Sequence, residues 1–62
     1  MTNIIMRLPA VVAATGLCRA ELYKLQARGE FPPPVKLTAR AVGWRSQDVA
    51  AWIDSRPLVV AN

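Results

Sequence analysis

The stretch that decides the fold is TGLCRAELYKLQARGEFP, residues 15–32, which holds a helix-sized segment between two glycines. Leu22 and Leu25 are three positions apart, so they share one face of a helix and predict a narrow buried stripe. Glycine commonly follows the last residue of a helix, because it adopts the left-handed conformation without a steric penalty. We therefore predict a helix over residues 19–28, with a glycine stop on either side.

The residues before this segment predict another helix. Pro9 suits a first helical turn, where its missing N–H would have no partner anyway. The run PAVVAAT, residues 9–15, follows with apolar side chains at helical spacing, and Gly16 supplies the stop. Cys18 stands at the cap position of the second helix, where Ser, Thr, Asp or Asn is usual, and we expect it to be buried as a small apolar side chain. Two helices joined by a tight turn are therefore expected.

After the prolines at 32–34 the pattern changes from helical to alternating. Residues 35–37 (VKL) and 42–45 (VGWR) alternate apolar and other residues, and the four-residue TARA between them predicts a hairpin loop. The apolar inner face is expected to contain Val35, Leu37, Val42 and Trp44. The outer face and tip are expected to carry Lys36, Thr38, Arg40 and Arg45. Two strands alone are marginal in water, so the hairpin must pack on the helices.

The end of the chain predicts a third helix. Ser46 is a good N-cap, Asp48 in the first turn suits the helix dipole, and Pro57 ends the pattern. The core stripe of this helix is predicted to be Val49, Trp52 and Ile53. The apolar tail LVVAN, residues 58–62, is too short to specify a structure, so a frayed end, an added strand and a dimer contact all stay open.

Composition limits what the chain does. Its 62 residues suffice for one small domain, which buries about 60% of the surface of its unfolded chain. Eight Lys and Arg against four Asp and Glu give a net charge of +4 and a pI of about 10.3. This excess favours a polyanionic partner, and plain solubility is the alternative. No apolar run approaches the roughly 20 residues of a membrane span, and the N-terminus lacks a signal-peptide pattern. We expect a cytoplasmic protein without a membrane partner.

The residue inventory argues against catalysis. There is no histidine, and Cys18 is the only cysteine, so neither an intrachain disulfide nor a cysteine-based metal site can form. The four carboxylates are scattered, and the three glycines are explained by helix stops and a strand. An enzyme, a metal, a cofactor and a small-molecule substrate are therefore not expected.

Recognition of DNA is the function that remains. The predicted architecture is mostly α with a small β-hairpin, a winged helix-turn-helix of three short helices and a two-stranded wing, as one domain over residues 1–62 with its core at 7–56. In this geometry the second helix enters the major groove. The expected DNA contacts are Arg19, Ala20, Tyr23, Lys24 and Arg28 on that helix, and Lys36, Thr38, Arg40 and Arg45 on the wing. The alternatives are a solvated basic surface and a protein-binding adaptor on the same scaffold.

Two long segments of the sequence, RLPAVVAATGLCRAELYKLQARGEFPPPVKL and AVGWRSQDVAAWIDSR, also carry a family resemblance. Residues 7–56 resemble the AlpA family of phage-type regulators, relatives of excisionases in the MerR-like winged-helix group. The resemblance implies sequence-specific binding of double-stranded DNA in a bacterial host, in transcriptional control or in directing an integrase toward excision. It also implies partners: further copies on adjacent sites, and an integrase or RNA polymerase.

The resemblance also carries residue roles. Arg19, Tyr23 and Lys24 match the recognition helix of the family. Lys36, Arg40 and Arg45 match its basic wing and the exit from it. The chain departs from the family at Cys18, Ala20 and Glu21, where small hydroxyl residues are usual. Ala20 would contact a thymine methyl group, whereas Glu21 would accept from a cytosine amine or repel phosphates.

Overall fold

A computed structural model describes residues 4–59, which form three helices and a small antiparallel sheet. The elements in chain order are β1 (Ile5–Met6), α1 (Leu8–Thr15), α2 (Arg19–Ala27), β2 (Val35–Thr38), β3 (Ala41–Arg45) and α3 (Ser46–Asp54). The strands are ordered β1-β3-β2. Helices α1 and α2 form the predicted helix-turn-helix, and β2 with β3 forms the wing. The fold is therefore a winged helix-turn-helix with one strand more than expected.

The turn between α1 and α2 is built around the predicted glycine. Gly16 has a φ of +75°, and its N–H donates to the Val12 carbonyl at 2.9 Å. The Thr15 hydroxyl donates to the Val11 carbonyl at 2.8 Å and accepts from the Leu17 N–H at 3.3 Å. These bonds fix the angle at which the chain leaves α1, and hence where α2 begins.

The C-terminus of α2 is a Schellman motif. Gly29, with a φ of +73°, donates its N–H to the Gln26 carbonyl at 3.0 Å, and the Glu30 N–H donates to the Leu25 carbonyl at 2.8 Å. Arg28 is the C-cap residue, so the helix ends one residue earlier than predicted. This motif sends the chain directly from α2 into the core.

The core is centred on three aromatic side chains, Phe31, Trp44 and Trp52, which we call the aromatic junction. The Phe31 ring meets the Trp44 and Trp52 rings edge-on, with centroid distances of 6.4 and 5.0 Å. The buried side chains are Val11, Leu22, Phe31, Trp44 and Val49. Sequence patterning did not identify Phe31, because a lone aromatic residue in a loop has no periodicity.

Beside the helices, two residues expected in the core lie at the surface. Cys18 is exposed, because it precedes α2 in extended conformation (φ −79°, ψ 165°) and so lies off the helical stripe of Leu22. Ile53 is 38% exposed. It follows Trp52 by one position, which rotates it by about 100° around α3 to the flank of a thin core.

The N-terminal strand β1 was not predicted, since two residues are too few to show an alternating pattern. Met6 pairs with Trp44 on β3, and the Ser46 N–H donates to the Ile4 carbonyl at 2.7 Å. The Ser46 hydroxyl accepts from the Ile4 N–H at 3.3 Å. Ser46 is therefore the first residue of α3 and not its N-cap, which is Arg45 without a side-chain capping bond.

The wing has a shorter turn than predicted. Thr38 pairs with Ala41, so two residues, not four, connect β2 to β3. An irregularity between Lys36 and Thr38 shifts the register of β2. The expectation that Val35 and Trp44 share one apolar face of the hairpin is therefore wrong. Val35 pairs with Gly43 and lies on the same face of the sheet as Gly43, whereas Trp44 lies on the opposite face.

Two apolar side chains of the wing are more exposed than expected, one on each face. Val42 is 47% exposed and Leu37 is 40% exposed, although both were expected to be buried. Gly43 is covered on the outer face by Ile5 and Leu37, and a Cβ placed there would lie 2.6 Å from Ile5 Cγ2 and 3.0 Å from the Met6 carbonyl oxygen. A glycine is therefore needed for β1 to lie this close to β3. Of the apolar tail, residues 60–62 lie outside the described part, and Leu58 and Val59 are exposed.

Candidate nucleic-acid interface

The exposed side of α2 carries the candidate contacts. Side chains on an α-helix advance by about 100° per residue, so the positions opposite the buried Leu22 point to solvent. All five side chains predicted on this side are exposed, and we call them the basic face of α2: Arg19, Ala20, Tyr23, Lys24 and Arg28. Three cations and a half-exposed tyrosine, 51% accessible, thus share one helix face. Such a face can contact both base edges and phosphates.

Arg19 is the first residue of α2 and lies directly after the turn. The positive end of the helix dipole disfavours a cation at this position. In a helix-turn-helix, however, the N-terminal residues of the second helix approach the base edges. A guanidinium here is therefore poorly explained by the helix alone and well placed for an acceptor outside the protein.

A cleft of about 260 Å³ joins α2 to the start of α1 and to the wing. Its lining residues are Arg7, Leu8, Pro9, Tyr23, Gln26, Pro34, Val42 and Trp44. The amide nitrogen of Gln26 is buried there without a hydrogen-bond partner among the described residues. Only the fold shows that Arg7 shares this cleft with Tyr23. The cleft shows that three elements meet on one side of the domain.

At the other edge of the basic face, Lys24 and Arg28 adjoin one further cation, Arg56. Lys24 and Arg28 line a cleft of about 430 Å³ with Glu21 and with Arg56 from the end of the chain. The Arg56 guanidinium lies 4.3 Å from the centroid of the Trp52 ring and donates to the Trp52 carbonyl at 3.2 Å. Its stacking holds it where it extends the basic face.

Cys18 contacts Glu21, which lines the cleft beside Lys24 and Arg28. Its Sγ donates to the Glu21 carboxylate at 3.5 Å, a weak bond between exposed groups. Both side chains lie in the first turn or at the cap of α2, where a carboxylate is favoured by the helix dipole. A local structural explanation for Glu21 therefore exists beside the expected contact with a base.

The wing places its polar residues on different faces. Lys36 pairs with Val42 and shares its face, and Val42 lines the cleft that also contains Tyr23. Arg45 shares the opposite face with Gly43, since alternate residues of a strand point the same way. The expectation of one outer face carrying both cations is therefore wrong. Of Lys36 and Arg45, only Lys36 lies on the sheet face that adjoins α2.

The hairpin tip is formed by the turn after Thr38. The Thr38 hydroxyl accepts from the Arg40 N–H at 3.2 Å, so this side chain stabilises the turn. Arg40 is exposed at the tip. The wing thus presents a guanidinium on a short turn, the arrangement that lets an arm enter a groove.

Residues 4–59 show neither a metal-binding cluster nor a membrane-spanning helix. That part of the chain contains no group of three His, Cys, Asp or Glu side chains able to hold a metal ion. None of its helices is long and apolar enough to cross a bilayer.

Comparison with known proteins identifies the family. The family model described as "Prophage CP4-57 regulatory protein (AlpA)" matches residues 4–57. The chain is 41% identical over 51 residues to "Uncharacterized protein ORF88" of Enterobacteria phage P4, covering 82% of this chain and 58% of the phage protein. It is 33% identical over 58 residues to "DNA-binding transcriptional activator AlpA" of Escherichia coli K12, covering 84% of this chain and 83% of that protein. No solved structure matches the chain.

Proposed function

The chain belongs to the AlpA family, and from this premise we propose that it is a phage-type regulator that binds double-stranded DNA in a sequence-dependent way. The basic face of α2 carries the proposal, because it follows the helix-turn-helix turn directly and adjoins the wing. The Escherichia coli relative, described as a DNA-binding transcriptional activator, supports it. The absence of histidine from the sequence supports a function that is not enzymatic.

In the proposed complex, α2 lies in the major groove. Arg19 donates two hydrogen bonds to guanine O6 and N7, the most common specific contact of this side chain. Ala20 packs on a thymine methyl group, and Tyr23 and Lys24 bind phosphates. Arg28 lies at the far end of α2 and contributes charge toward the backbone. Base preference thus resides in the first turn of α2.

The wing binds the DNA beside this groove. Arg40 at the tip enters the adjacent minor groove or contacts its backbone, and Lys36 adds charge on the face that adjoins α2. Arg45 and Thr38 are weaker candidates, since Arg45 lies on the opposite face and Thr38 stabilises the turn. A single module of this size buries about 600–1,000 Å² on DNA, so high specificity requires several copies on adjacent sites.

Selection from a random-sequence duplex pool, followed by fluorescence anisotropy, tests the proposal. We expect a sequence preference and a log–log salt slope near −5, because about five or six phosphates are contacted. Arg19→Ala combined with Arg40→Ala should weaken binding to the selected duplex. A salt-independent affinity, or an unchanged affinity in this variant, would contradict the assigned interface.

Footprinting on the DNA that flanks the gene tests the regulatory role. Protection of a promoter supports transcriptional control, in which RNA polymerase is the further partner. Protection of an attachment site, together with bending of the DNA, would replace this role with that of an excisionase acting beside an integrase.

A further inference from the structure

An open cleft of about 560 Å³ lies between α3 and the loop that leaves α2. Its lining residues are Gly29, Glu30, Phe31, Pro32, Pro33, Asp48, Ala51 and Trp52. Two aromatic rings and two prolines give it apolar walls. An open apolar surface with a polar rim has the composition of a protein–protein interface.

The charge of this cleft is opposite to that of the protein. The chain has four carboxylates, and two of them, Glu30 and Asp48, line the cleft. None of its eight Lys and Arg residues does so among the described lining residues. On a chain with a net charge of +4, this local reversal repels DNA and attracts cations.

The walls of the cleft are held in place by hydrogen bonds from both indoles. The Trp52 N–H donates to the Glu30 carbonyl at 2.8 Å, and the Trp44 N–H donates to the Pro32 carbonyl at 3.0 Å. The Schellman motif fixes the start of the same loop. A preformed site loses little conformational entropy when it binds, so its contacts contribute more fully to affinity.

The cleft is separate from the proposed DNA interface. None of the nine predicted DNA contacts lines it, and it shares only Trp52 with the cleft beside Lys24 and Arg28. A molecule bound to it would therefore leave the basic face of α2 free.

We propose that this cleft docks a segment of a partner protein in which arginine or lysine alternates with aliphatic residues. The aliphatic side chains pack on Trp52, Pro32 and Pro33, and the cations pair with Glu30 and Asp48. Charge complementarity selects this partner, because an acidic segment would be repelled by both carboxylates. The inference goes beyond DNA binding and does not depend on it.

Titration of the ¹⁵N-labelled full chain with short synthetic peptides tests the proposal. The probes are an alternating arginine–leucine peptide and two matched peptides with glutamate for every arginine or serine for every leucine. We expect the first peptide to shift the amide signals of residues 29–33 and 48–52 and the Trp52 indole signal, with much weaker effects from the others. Equal shifts from the glutamate peptide, or shifts confined to other surfaces, would overturn the proposal.

Two variants with the same change in charge make the test specific. Glu30→Gln with Asp48→Asn removes the cleft carboxylates, whereas Glu21→Gln with Asp54→Asn removes the other two. Two exposed ion pairs contribute about 1 kcal/mol together, so the first variant should bind the arginine–leucine peptide about fivefold more weakly. The second should bind it as the parent protein does, and equal losses in both would overturn the proposal.

DNA binding is measured separately in the same variants. Glu30→Gln with Asp48→Asn should bind DNA no more weakly than the parent protein, so failure of the docking proposal is distinguishable from failure of the proposed function. Analytical ultracentrifugation addresses another occupant. A self-association of the parent chain that this variant abolishes would show that a second copy fills the cleft, and would overturn the assignment to a partner protein.

Discussion

The basic face of α2 and the aromatic junction differ in how fully their side chains are packed and hydrogen-bonded within the protein. In the junction, rings pack on rings and both indole N–H groups donate to loop carbonyls. On α2, the cations are exposed, and the guanidinium at the first position opposes the helix dipole. The junction is held by contacts within the protein, whereas the basic face lies at the surface, outside the core. Substitutions should therefore separate stability from binding.

The largest effect is expected in the junction. Phe31→Ala should lower the free energy of unfolding by about 3–5 kcal/mol, since it opens a cavity between two tryptophans. This approaches the whole stability of a small domain, so the variant should be largely unfolded and should not bind DNA. Urea unfolding followed by circular dichroism measures the loss. Phe31→Leu is the control, and a loss of equal size from both would mean that volume is not what matters.

The next largest loss of stability is expected at Gly43, where β1 lies against β3. Gly43→Ala should cost about 2–3 kcal/mol through overpacking, because a Cβ would meet both Ile5 and the Met6 carbonyl oxygen. Combining it with Ile5→Ala should restore part of that stability, since one of the two obstacles is then removed. Thermal unfolding of the single and double variants measures this coupling. Strict additivity would show that Ile5 is not the obstacle.

Substitutions in the basic face should weaken DNA binding and leave the free energy of unfolding unchanged. Arg19→Ala should weaken binding to a selected duplex about tenfold and relax the preference at one base pair, with unfolding free energy unchanged within about 0.5 kcal/mol. Lys24→Ala is the matched comparison, expected to weaken binding to all sequences alike and to reduce the salt slope by about one. Anisotropy titrations at several salt concentrations measure both. A destabilised Arg19→Ala protein would erase the contrast between the two regions.

The smallest effect is expected where α2 begins. Cys18 occupies the N-cap without a side-chain capping bond, and Glu21 stands three positions later. Cys18→Ser would complete a capping box and should raise the unfolding free energy by about 0.5–1 kcal/mol. Cys18→Ala is the control and should give no gain. Chemical denaturation resolves the difference, and equal stability of both variants would show that this cap contributes nothing.

Much of this architecture could be predicted from the sequence because the residues that end its helices act locally. Gly16 and Gly29 end helices by their own conformational freedom, and the stripe containing Leu22 follows from helical periodicity. The register of the wing could not be predicted, because it depends on one irregularity in β2 and on the length of the turn. A shift of one residue moves every side chain to the other face.

The candidate interface was predictable to the same extent. The predicted side chains on α2 follow from one helix, so their exposure could be predicted, while their contact with DNA stays a prediction. Arg7 and Arg56 come from opposite ends of the domain, and only tertiary packing places them beside Tyr23 and Lys24. The acidic cleft was missed for the same reason, since Glu30 and Asp48 are far apart in the sequence.

The bonds between Ile4 and Ser46 have a consequence for the order in which the molecule assembles. They join residues 42 positions apart, whereas most of the helix-turn-helix and the wing is made of neighbours in sequence. Closing a longer loop costs more entropy, so the N-terminal strand should dock last during folding and open first from the native state. Amide hydrogen exchange should therefore be fastest at this seam. During synthesis, the N-terminal segment cannot form these bonds until Ser46, 42 residues further along the chain, has been made.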